Sequence, residues 1–170
     1  RNVSSIAVVR EGETLLIDCG EGTQRQMMRY GIRLKAIGDR DRLPLNVRRT
    51  LEDVIELTQR NIRMTVVLAL SYSGRDEIVR MVNKIRRRVL AGEFQSSDVE
   101  DEIVSAHMDT PDIPDPDLLI RTSGEMRISN FYLWQIAYTE LYVTPTLWPD
   151  FREQEYFQAL QEYQRRRRRF

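Results

Sequence analysis

Two arginines and a serine in the last third of the chain have the types and spacing of a site for a phosphate group. Arg121 directly follows an apolar run at 118–120, which predicts a short buried strand. Arg127 and Ser129 lie six and eight residues further on. Open α/β sheets bind ligands at the carboxyl ends of their strands, and a planar arginine fork binds two phosphate oxygens at once. A turn at 122–124 and a helix that begins near Ser129 are therefore expected to direct these donors at one diphosphate.

Glu140 stands in an apolar and aromatic stretch, residues 136–142, where an unpaired carboxylate is costly to bury. Its carboxylate therefore needs a cation. Mg²⁺ is usually held by one or two carboxylates together with phosphate oxygens, so Glu140 is a candidate ligand for a metal-bound diphosphate. A second interpretation remains open, in which Arg121, Arg127 and Glu140 form only an internal network of ion pairs.

The long string at 121–151 closely resembles the carboxyl-terminal signature of the cis-prenyltransferases, the undecaprenyl diphosphate synthases. It reads RTSGEMRISNFYLWQIAYTELYVTPTLWPDF. The resemblance implies a binding site for the diphosphate of isopentenyl diphosphate, formed by Arg121, Arg127, Ile128 and Ser129. It also implies that Glu140 coordinates Mg²⁺ and that Glu125 orients an arginine.

The resemblance extends back to about residue 31 and covers some four fifths of the chain. The segment at 32–39 is similar to the family's strand and Gly-Asp turn, and the segment at 71–78 is similar to its Asn-Tyr-Gly-Gly-Arg segment. Ser71 and Ser73 stand where the family usually has Asn and Gly, whereas Arg75 is retained. The resemblance therefore implies a supporting role for Arg75 at the site.

Two family motifs are missing from the sequence. Neither the Asp-Gly-Asn-Gly-Arg-Trp loop that holds the allylic diphosphate nor the Ser-x-Glu-Asn-Trp loop occurs. The resemblance implies an enzyme that condenses isopentenyl diphosphate with an allylic diphosphate to give a cis-polyprenyl diphosphate. We expect this chain to keep the isopentenyl diphosphate site, to lack the allylic site and to have little or no turnover alone. The alternative is a non-catalytic, diphosphate-binding partner subunit.

The first thirty residues contain the segments Asn-Val-Ser-Ser at 2–5 and Asp-Cys-Gly-Glu-Gly-Thr-Gln at 18–24. With these segments they resemble a different family, the amino-terminal region of ribonuclease Z. Their pattern predicts a two-stranded hairpin with a turn at 11–12, followed by a helix after Gly22. We therefore expect a foreign segment at 1–31 joined to the carboxyl-terminal part of a cis-prenyltransferase domain at 32–170. The Asp and Gly residues at 18–22 are a poor substitute for the missing diphosphate loop, because their spacing differs and Glu21 repels a diphosphate. The first residue is Arg1 rather than Met, from which we expect an excerpt of a longer protein.

A zinc hydrolase of the ribonuclease Z kind needs a cluster of histidines, and the sequence has one histidine, His107. We expect His107 to be a surface or helix-capping residue rather than a metal ligand. The single cysteine, Cys19, fits a reducing cytoplasm. As a lone thiol it is expected to be a small buried hydrophobe.

The 170 residues, of which 41% are hydrophobic, fit one globular domain. Lys plus Arg equals Asp plus Glu at 26 each, so no long-range field favours nucleic acid or an anionic membrane. No apolar run has the length of a membrane-spanning helix, and we expect membrane association only through the product. The five arginines at 165–169 are interpreted as a solvated helix end, with nucleic-acid binding as a weaker option. The family resemblance adds a third interpretation, a homodimer whose carboxyl-terminal Arg-x-Gly reaches toward the partner's diphosphate site. Arg169 and Phe170 match its first two positions and stop one residue short of the glycine.

The spacing of apolar residues predicts alternating strands and helices. The predicted strands cover residues 3–9, 14–18, 32–37, 64–70 and 118–120. The predicted helices cover residues 23–30, 45–60, 74–91, 97–107, 130–137 and 152–168. This alternation is typical of an α/β fold with a mainly parallel sheet flanked by helices. With the resemblance, we expect a cis-prenyltransferase-like fold that is incomplete at its amino end, with a foreign β-hairpin and helix there.

Overall fold

The computed structural model describes residues 6–10, 13–17 and 23–166, with side chains from residue 24 onward. The predicted hairpin turn at 11–12, the Asp and Gly residues at 18–22 with Cys19, and the basic residues at 167–169 lie outside this part of the chain. The chain forms two compact units, Arg1–Tyr72 and Ser73–Phe170.

The first unit begins with an antiparallel pair, β1 (Ile6–Arg10) and β2 (Glu13–Ile17). Helix α1 (Thr23–Tyr30) follows, and then β3 (Ile32–Ile37), α2 (Leu45–Thr58) and β4 (Met64–Ala69). Strands β3 and β4 are parallel, with Ile32 opposite Met64 and Ile37 opposite Ala69. A short 3-10 helix, Arg40–Arg42, lies between β3 and α2. The antiparallel pairing confirms the predicted hairpin.

The core of the first unit lies where α1 and α2 cover β3. Its buried residues are Met27, Ile32, Leu34, Leu51 and Val54. Residues 51, 54 and 58 recur at helical spacing and form the buried face of α2. Thr58 is fully buried, and its hydroxyl donates to the Val54 carbonyl at 2.8 Å and accepts from the Leu34 amide at 3.0 Å. This hydroxyl therefore fixes α2 against β3.

The turn after β3 requires a glycine. Gly38 has a φ of +95°, and a Cβ placed there would lie 2.2 Å from the carbonyl oxygen of Leu70. The absence of a side chain at this position lets the ends of β3 and β4 approach closely.

The second unit contains α3 (Gly74–Leu90), α4 (Asp101–Ala106), β5 (Leu118–Arg121), β6 (Glu140–Val143) and α5 (Glu153–Arg165). Strands β5 and β6 are parallel, with Leu118 opposite Glu140 and Arg121 opposite Val143. Short 3-10 helices occupy Ser96–Asp98 and Trp148–Asp150. Its core is built around Met81, Ile85 and Met108. The α/β class with parallel strands flanked by helices is thus confirmed.

Several element predictions need correction. No helix forms at 130–137, because Ser129, Asn130 and Tyr132 have φ values of +49°, +61° and +48°, far from the helical value of about −63°. The predicted helix at 97–107 is instead a 3-10 turn followed by the short α4. The strand β6 was not predicted. Among the described residues, no helix combines the length and apolarity needed to cross a bilayer.

His107 is buried, with 6% of its surface exposed, so the expected surface position is wrong. It does end α4, which agrees with the capping alternative. Its Nδ1 lies 2.6 Å from the Ile103 carbonyl and its Nε2 lies 2.8 Å from Nη1 of Arg88. Because a guanidinium can only donate, Nε2 accepts and Nδ1 carries the proton of the neutral ring.

Candidate functional site at the carboxyl end of β5

Arg121 and Ser129 meet at the carboxyl end of β5. Arg121 is the last residue of that strand, and its Nη2 lies 3.4 Å from the Ser129 hydroxyl. The turn between them is tied to the chain after β6, since the Ser123 amide donates to the Thr146 carbonyl and the Gly124 amide to the Thr144 carbonyl. The structure thus places these two predicted residues side by side.

Arg121 has an unsatisfied donor. Its Nε is buried and has no hydrogen-bond partner, and among the described side chains only Gln135 Oε1 shares this property. A buried N–H of a cationic group without an acceptor is costly, because it loses its water without gaining a partner. An anion that accepts from Nε and lies beside the Ser129 hydroxyl would remove this cost. The donor set therefore fits a phosphate group.

Arg127 forms an ion pair with Glu125 of its own loop. Its Nε lies 2.7 Å from a carboxylate oxygen of Glu125, and the Arg127 side chain is 73% exposed. Ile128 lies between Arg127 and Ser129 and is partly exposed. Arg127 is therefore held near the Ser129 loop by Glu125, with most of its surface open to solvent.

Glu140 lies at the other end of the strand pair. It is the first residue of β6 and is paired with Leu118, whereas Arg121 is paired with Val143. Three residues of strand separate these positions, which is about 10 Å at roughly 3.3 Å per residue. One Glu140 oxygen accepts from Nη1 of Arg166 at 2.8 Å. Arg121 and Glu140 therefore lie at opposite ends of the strand pair, and their convergence with Arg127 on one phosphate stays a prediction.

Glu140 is the residue that the sequence predicts as a magnesium ligand. No group of three or more His, Cys, Asp or Glu side chains in the described part of the chain is placed to hold a metal ion. Glu140 lines a cavity of about 600 Å³ with Asp115 and Asp117, and neither Arg121 nor Ser129 lines it. A carboxylate is a suitable donor for Mg²⁺, which usually takes one or two carboxylates together with phosphate oxygens, so Glu140 would hold the ion.

Arg75 lies in the first turn of α3, and its side chain is exposed. Its backbone amide donates to Oδ1 of Asn130 at 2.9 Å. Asn130 directly follows Ser129, so this bond connects the turn that bears Arg75 to the loop that bears Ser129. The sequence assigns no function to Asn130. It lies in a segment that is wrongly predicted to be helical, and no local pattern indicates its contact with α3.

The first unit contains an apolar cavity of about 480 Å³. It is lined mainly by side chains of α2, among them Leu51 and Val54, together with Leu34 of β3, Leu68 of β4 and Leu70 just after β4. Such a lining suits a hydrocarbon chain rather than a charged group.

Comparison with known proteins gives one consistent family. The sequence profile of the family described as "Putative undecaprenyl diphosphate synthase" matches residues 12–170. The isoprenyl transferase of Chlamydia pneumoniae is 47% identical over 143 residues, which cover 84% of this chain and 57% of that protein. The isoprenyl transferase of Porphyromonas gingivalis is 51% identical over 144 residues, which cover 85% of this chain and 57% of that protein.

Two solved structures share the fold. Lavandulyl diphosphate synthase from Lavandula x intermedia, in complex with dimethylallyl diphosphate, has a TM-score of 0.84 and 37% identity, over 87% of this chain and 64% of that one. A probable undecaprenyl diphosphate synthase from Campylobacter jejuni has a TM-score of 0.74 and 33% identity, over 87% of this chain and 67% of that one.

The extent of these matches bears on two expectations. The chain spans little more than half the length of the curated relatives it matches. The family profile includes most of the segment at 1–31, and the comparisons give no support for a ribonuclease Z origin of that segment. Since the profile covers residues 12–170 and the relatives are 47% and 51% identical, the chain belongs to the undecaprenyl diphosphate synthase family of prenyltransferases.

Proposed function

We propose that the protein represented by this chain is an isoprenyl transferase. It condenses isopentenyl diphosphate with an allylic prenyl diphosphate and forms a cis-polyprenyl diphosphate. The observation that carries this proposal is the buried, unpartnered Nε of Arg121 beside the Ser129 hydroxyl at the end of β5. Family membership supports the same reaction.

In this proposal the site holds the nucleophilic substrate. Arg121 and Ser129 bind the diphosphate of isopentenyl diphosphate, and Arg127, held by Glu125, adds a second guanidinium. The bound double bond attacks the first carbon of the allylic substrate as its bond to diphosphate breaks, and a proton is then lost from the new chain. Binding contributes to the rate because it holds the double bond in a productive orientation.

The allylic half is the weaker part of the proposal for this chain. The Asp-Gly-Asn-Gly-Arg-Trp loop is missing from the sequence, so we propose that the chain binds isopentenyl diphosphate and turns it over little or not at all by itself. The apolar cavity of the first unit supports binding of a prenyl chain.

The cofactor, the assembly and the location are further parts of the proposal. The family resemblance supports Mg²⁺ with Glu140 as a ligand, and the hard carboxylate oxygen suits that ion. Glu140, which is paired with Arg166 in this chain, would hold the ion, and the ion would supply positive charge to a diphosphate. The resemblance also supports a cytoplasmic homodimer. The separate resemblance of residues 1–31 to the amino-terminal region of ribonuclease Z is the support for a foreign origin of that segment.

Titration with isopentenyl diphosphate tests the proposal. Arg121→Ala should weaken binding about tenfold or more, because hydrogen bonds to charged groups contribute about 1.5–3 kcal/mol. The matched control is Arg165→Ala, which removes the same charge from an exposed position on α5. Equal loss in both variants would indicate non-specific attraction and would refute the assignment.

A second candidate function is a non-catalytic partner subunit, which the missing allylic loop favours. Addition of the chain to a full-length isoprenyl transferase of the same family separates the two. A partner subunit should raise the rate of product formation in the mixture, whereas an excerpt of an enzyme should leave it unchanged.

A further inference from the structure

The loop that carries Ser129 is attached to the first turn of α3 by its next residue, Asn130. The Asn130 carbonyl accepts from the Gly74 amide at 2.8 Å, and Asn130 Oδ1 accepts from the Arg75 amide at 2.9 Å. Asn130 Nδ2 donates to the Ser73 hydroxyl, also at 2.9 Å. One residue thus makes three hydrogen bonds to three consecutive residues that lie 55 or more positions away in the sequence.

These bonds use the donors that a helix start normally leaves without partners. The Gly74 and Arg75 amides donate to Asn130, and the Asp76 amide donates to the Ser73 hydroxyl at 3.3 Å. The amino end of α3 is therefore not free to bind an anion. It holds the Ser129 loop instead.

The close approach of loop and helix depends on a glycine. A Cβ at Gly74 would lie 2.8 Å from Cγ of Leu133 and 3.0 Å from the Asn130 carbonyl oxygen. Gly74 is buried under the loop. A side chain at this position would push the loop away from α3.

The loop is also in a backbone conformation that needs external support. Ser129, Asn130 and Tyr132 have positive φ values, which L-residues adopt rarely and Asn more readily than most. Backbone strain of this kind persists only where surrounding contacts hold it. Asn130 supplies such contacts on one side.

A buried contact holds the other end of the loop. Gln135 Nε2 donates to Glu77 at 3.0 Å, and Glu77 is 1% exposed in the first turns of α3. The Asp109 amide donates to the same Glu77 oxygen at 2.9 Å. The segment from 130 to 135 is thus attached to α3 at both of its ends.

We propose that Asn130 is a positioning residue of the diphosphate site, which fixes the Ser129 hydroxyl beside Arg121 by binding the first turn of α3. This inference rests on the proposed function, because it takes Arg121 and Ser129 as the diphosphate ligands. Asn130 is itself exposed, so its main effect is on the place of Ser129 rather than on the folding of the unit.

Calorimetric titration of isopentenyl diphosphate into variants tests this role. Asn130→Ala should weaken binding about tenfold, because it removes the two side-chain bonds and strains the backbone. Asn130→Gly should bind more tightly than Asn130→Ala, because glycine accepts the positive φ without strain, whereas both variants keep the backbone bond from Gly74. The matched control is Asn83→Ala, whose amide bonds only within α3 and whose loss should leave binding unchanged.

A double variant separates positioning from a general structural effect. If Asn130 acts through the Ser129 hydroxyl, Asn130→Ala should cost less than about threefold in a chain that already carries Ser129→Ala. An equal cost with and without the hydroxyl would overturn the positioning role. So would wild-type affinity in Asn130→Ala while Ser129→Ala and Arg121→Ala bind weakly. If Ser129→Ala and Arg121→Ala both bind like the wild type, the proposed diphosphate site itself is refuted.

Discussion

At the scale of single residues, chemistry and placement follow different rules. The types and spacing of Arg121 and Ser129 predict a shared site, and the structure places Nη2 of Arg121 3.4 Å from the Ser129 hydroxyl. Glu140 was identified in the same way, but it pairs with Arg166 at the opposite end of the strands. The type of a residue thus indicates what its side chain can bind. Which partner it meets depends on its position along the strand, as Glu140 at the start of β6 shows.

The phenol of Tyr132 should make the free energy of unfolding depend on pH at alkaline pH. Burial raises the pKa of its phenol above the ordinary value of 10.0, a hydrogen bond to Thr110 lowers it, and the negative charges of Glu77 and Asp109 raise it. The folded chain therefore holds this proton more tightly than the unfolded chain. Its contribution to stability is complete below about pH 10 and is lost as the pH rises through the folded-state pKa.

Urea denaturation of wild type and Tyr132→Phe between about pH 8 and pH 11 measures this contribution. The free energy of unfolding should fall more steeply above pH 10 in the wild type, because the variant has no phenol to titrate. The matched control is Tyr138→Phe, which removes a hydroxyl from an 82% exposed side chain. Parallel curves for wild type and Tyr132→Phe would contradict the expected shift.

At the scale of elements, one hydroxyl joins α2 to β3. Thr58→Val keeps the side-chain volume and removes the acceptor of the buried Leu34 amide. The free energy of unfolding should fall by about 1–3 kcal/mol, the cost of a buried donor without a partner. Thr50→Val is the matched control, because Thr50 also bonds four residues back along α2 but is exposed. A comparable loss in both variants would show that burial does not set the cost.

The end of α5 gives a second prediction at this scale. Arg166 binds both the Glu140 carboxylate and the Leu141 carbonyl, and so connects the last turn of α5 to β6. A double-mutant cycle with Glu140→Gln and Arg166→Gln should give a coupling of about 0.5–1 kcal/mol, since both side chains are 30% exposed. The more exposed pair of Arg127 and Glu125 should give less. A coupling near zero for Arg166 and Glu140 would leave Glu140 available to another cation.

Sequence patterns located elements better than they located the contacts between them. Helix α1 and strand β3 have the predicted bounds, and in β3 the apolar residues alternate along most of the strand. The helix expected at 130–137 does not form, because Asn130 bonds to residues 73–75 instead of continuing a helix. A contact across more than fifty residues has no local pattern. For the same reason the sequence predicts Arg121 at the end of a strand, but it does not predict that Asn130 holds the loop that carries Ser129.

At the scale of the whole molecule, the family of the chain is shown by its sequence, whereas its activity depends on parts of the relatives that the chain does not cover. The family extends over residues 12–170, while the chain spans little more than half of its relatives. The proposed site for isopentenyl diphosphate lies within the second unit, at β5 and the loop attached to α3. The loop expected to hold the allylic diphosphate is missing from the sequence.

This division predicts the outcome of a turnover assay. Incubation of the chain with radiolabelled isopentenyl diphosphate, farnesyl diphosphate and Mg²⁺ should yield little or no long-chain product, because the sequence lacks the Asp-Gly-Asn-Gly-Arg-Trp motif expected to hold the allylic diphosphate for ionisation. A full-length isoprenyl transferase of the family serves as the positive control. Abundant polyprenyl product from this chain would show that the allylic half is present in another form.

The proposed diphosphate site at the end of β5 depends most directly on Arg121 Nε. A two-dimensional NMR spectrum of arginine Nε–H groups, recorded as isopentenyl diphosphate is added, observes this donor itself. The Arg121 signal should shift and its exchange with water should slow as Nε gains an acceptor, while the signal of Arg165 stays in place. An unchanged Arg121 signal, with shifts confined to Arg166 near Glu140, would contradict a diphosphate site at the end of β5.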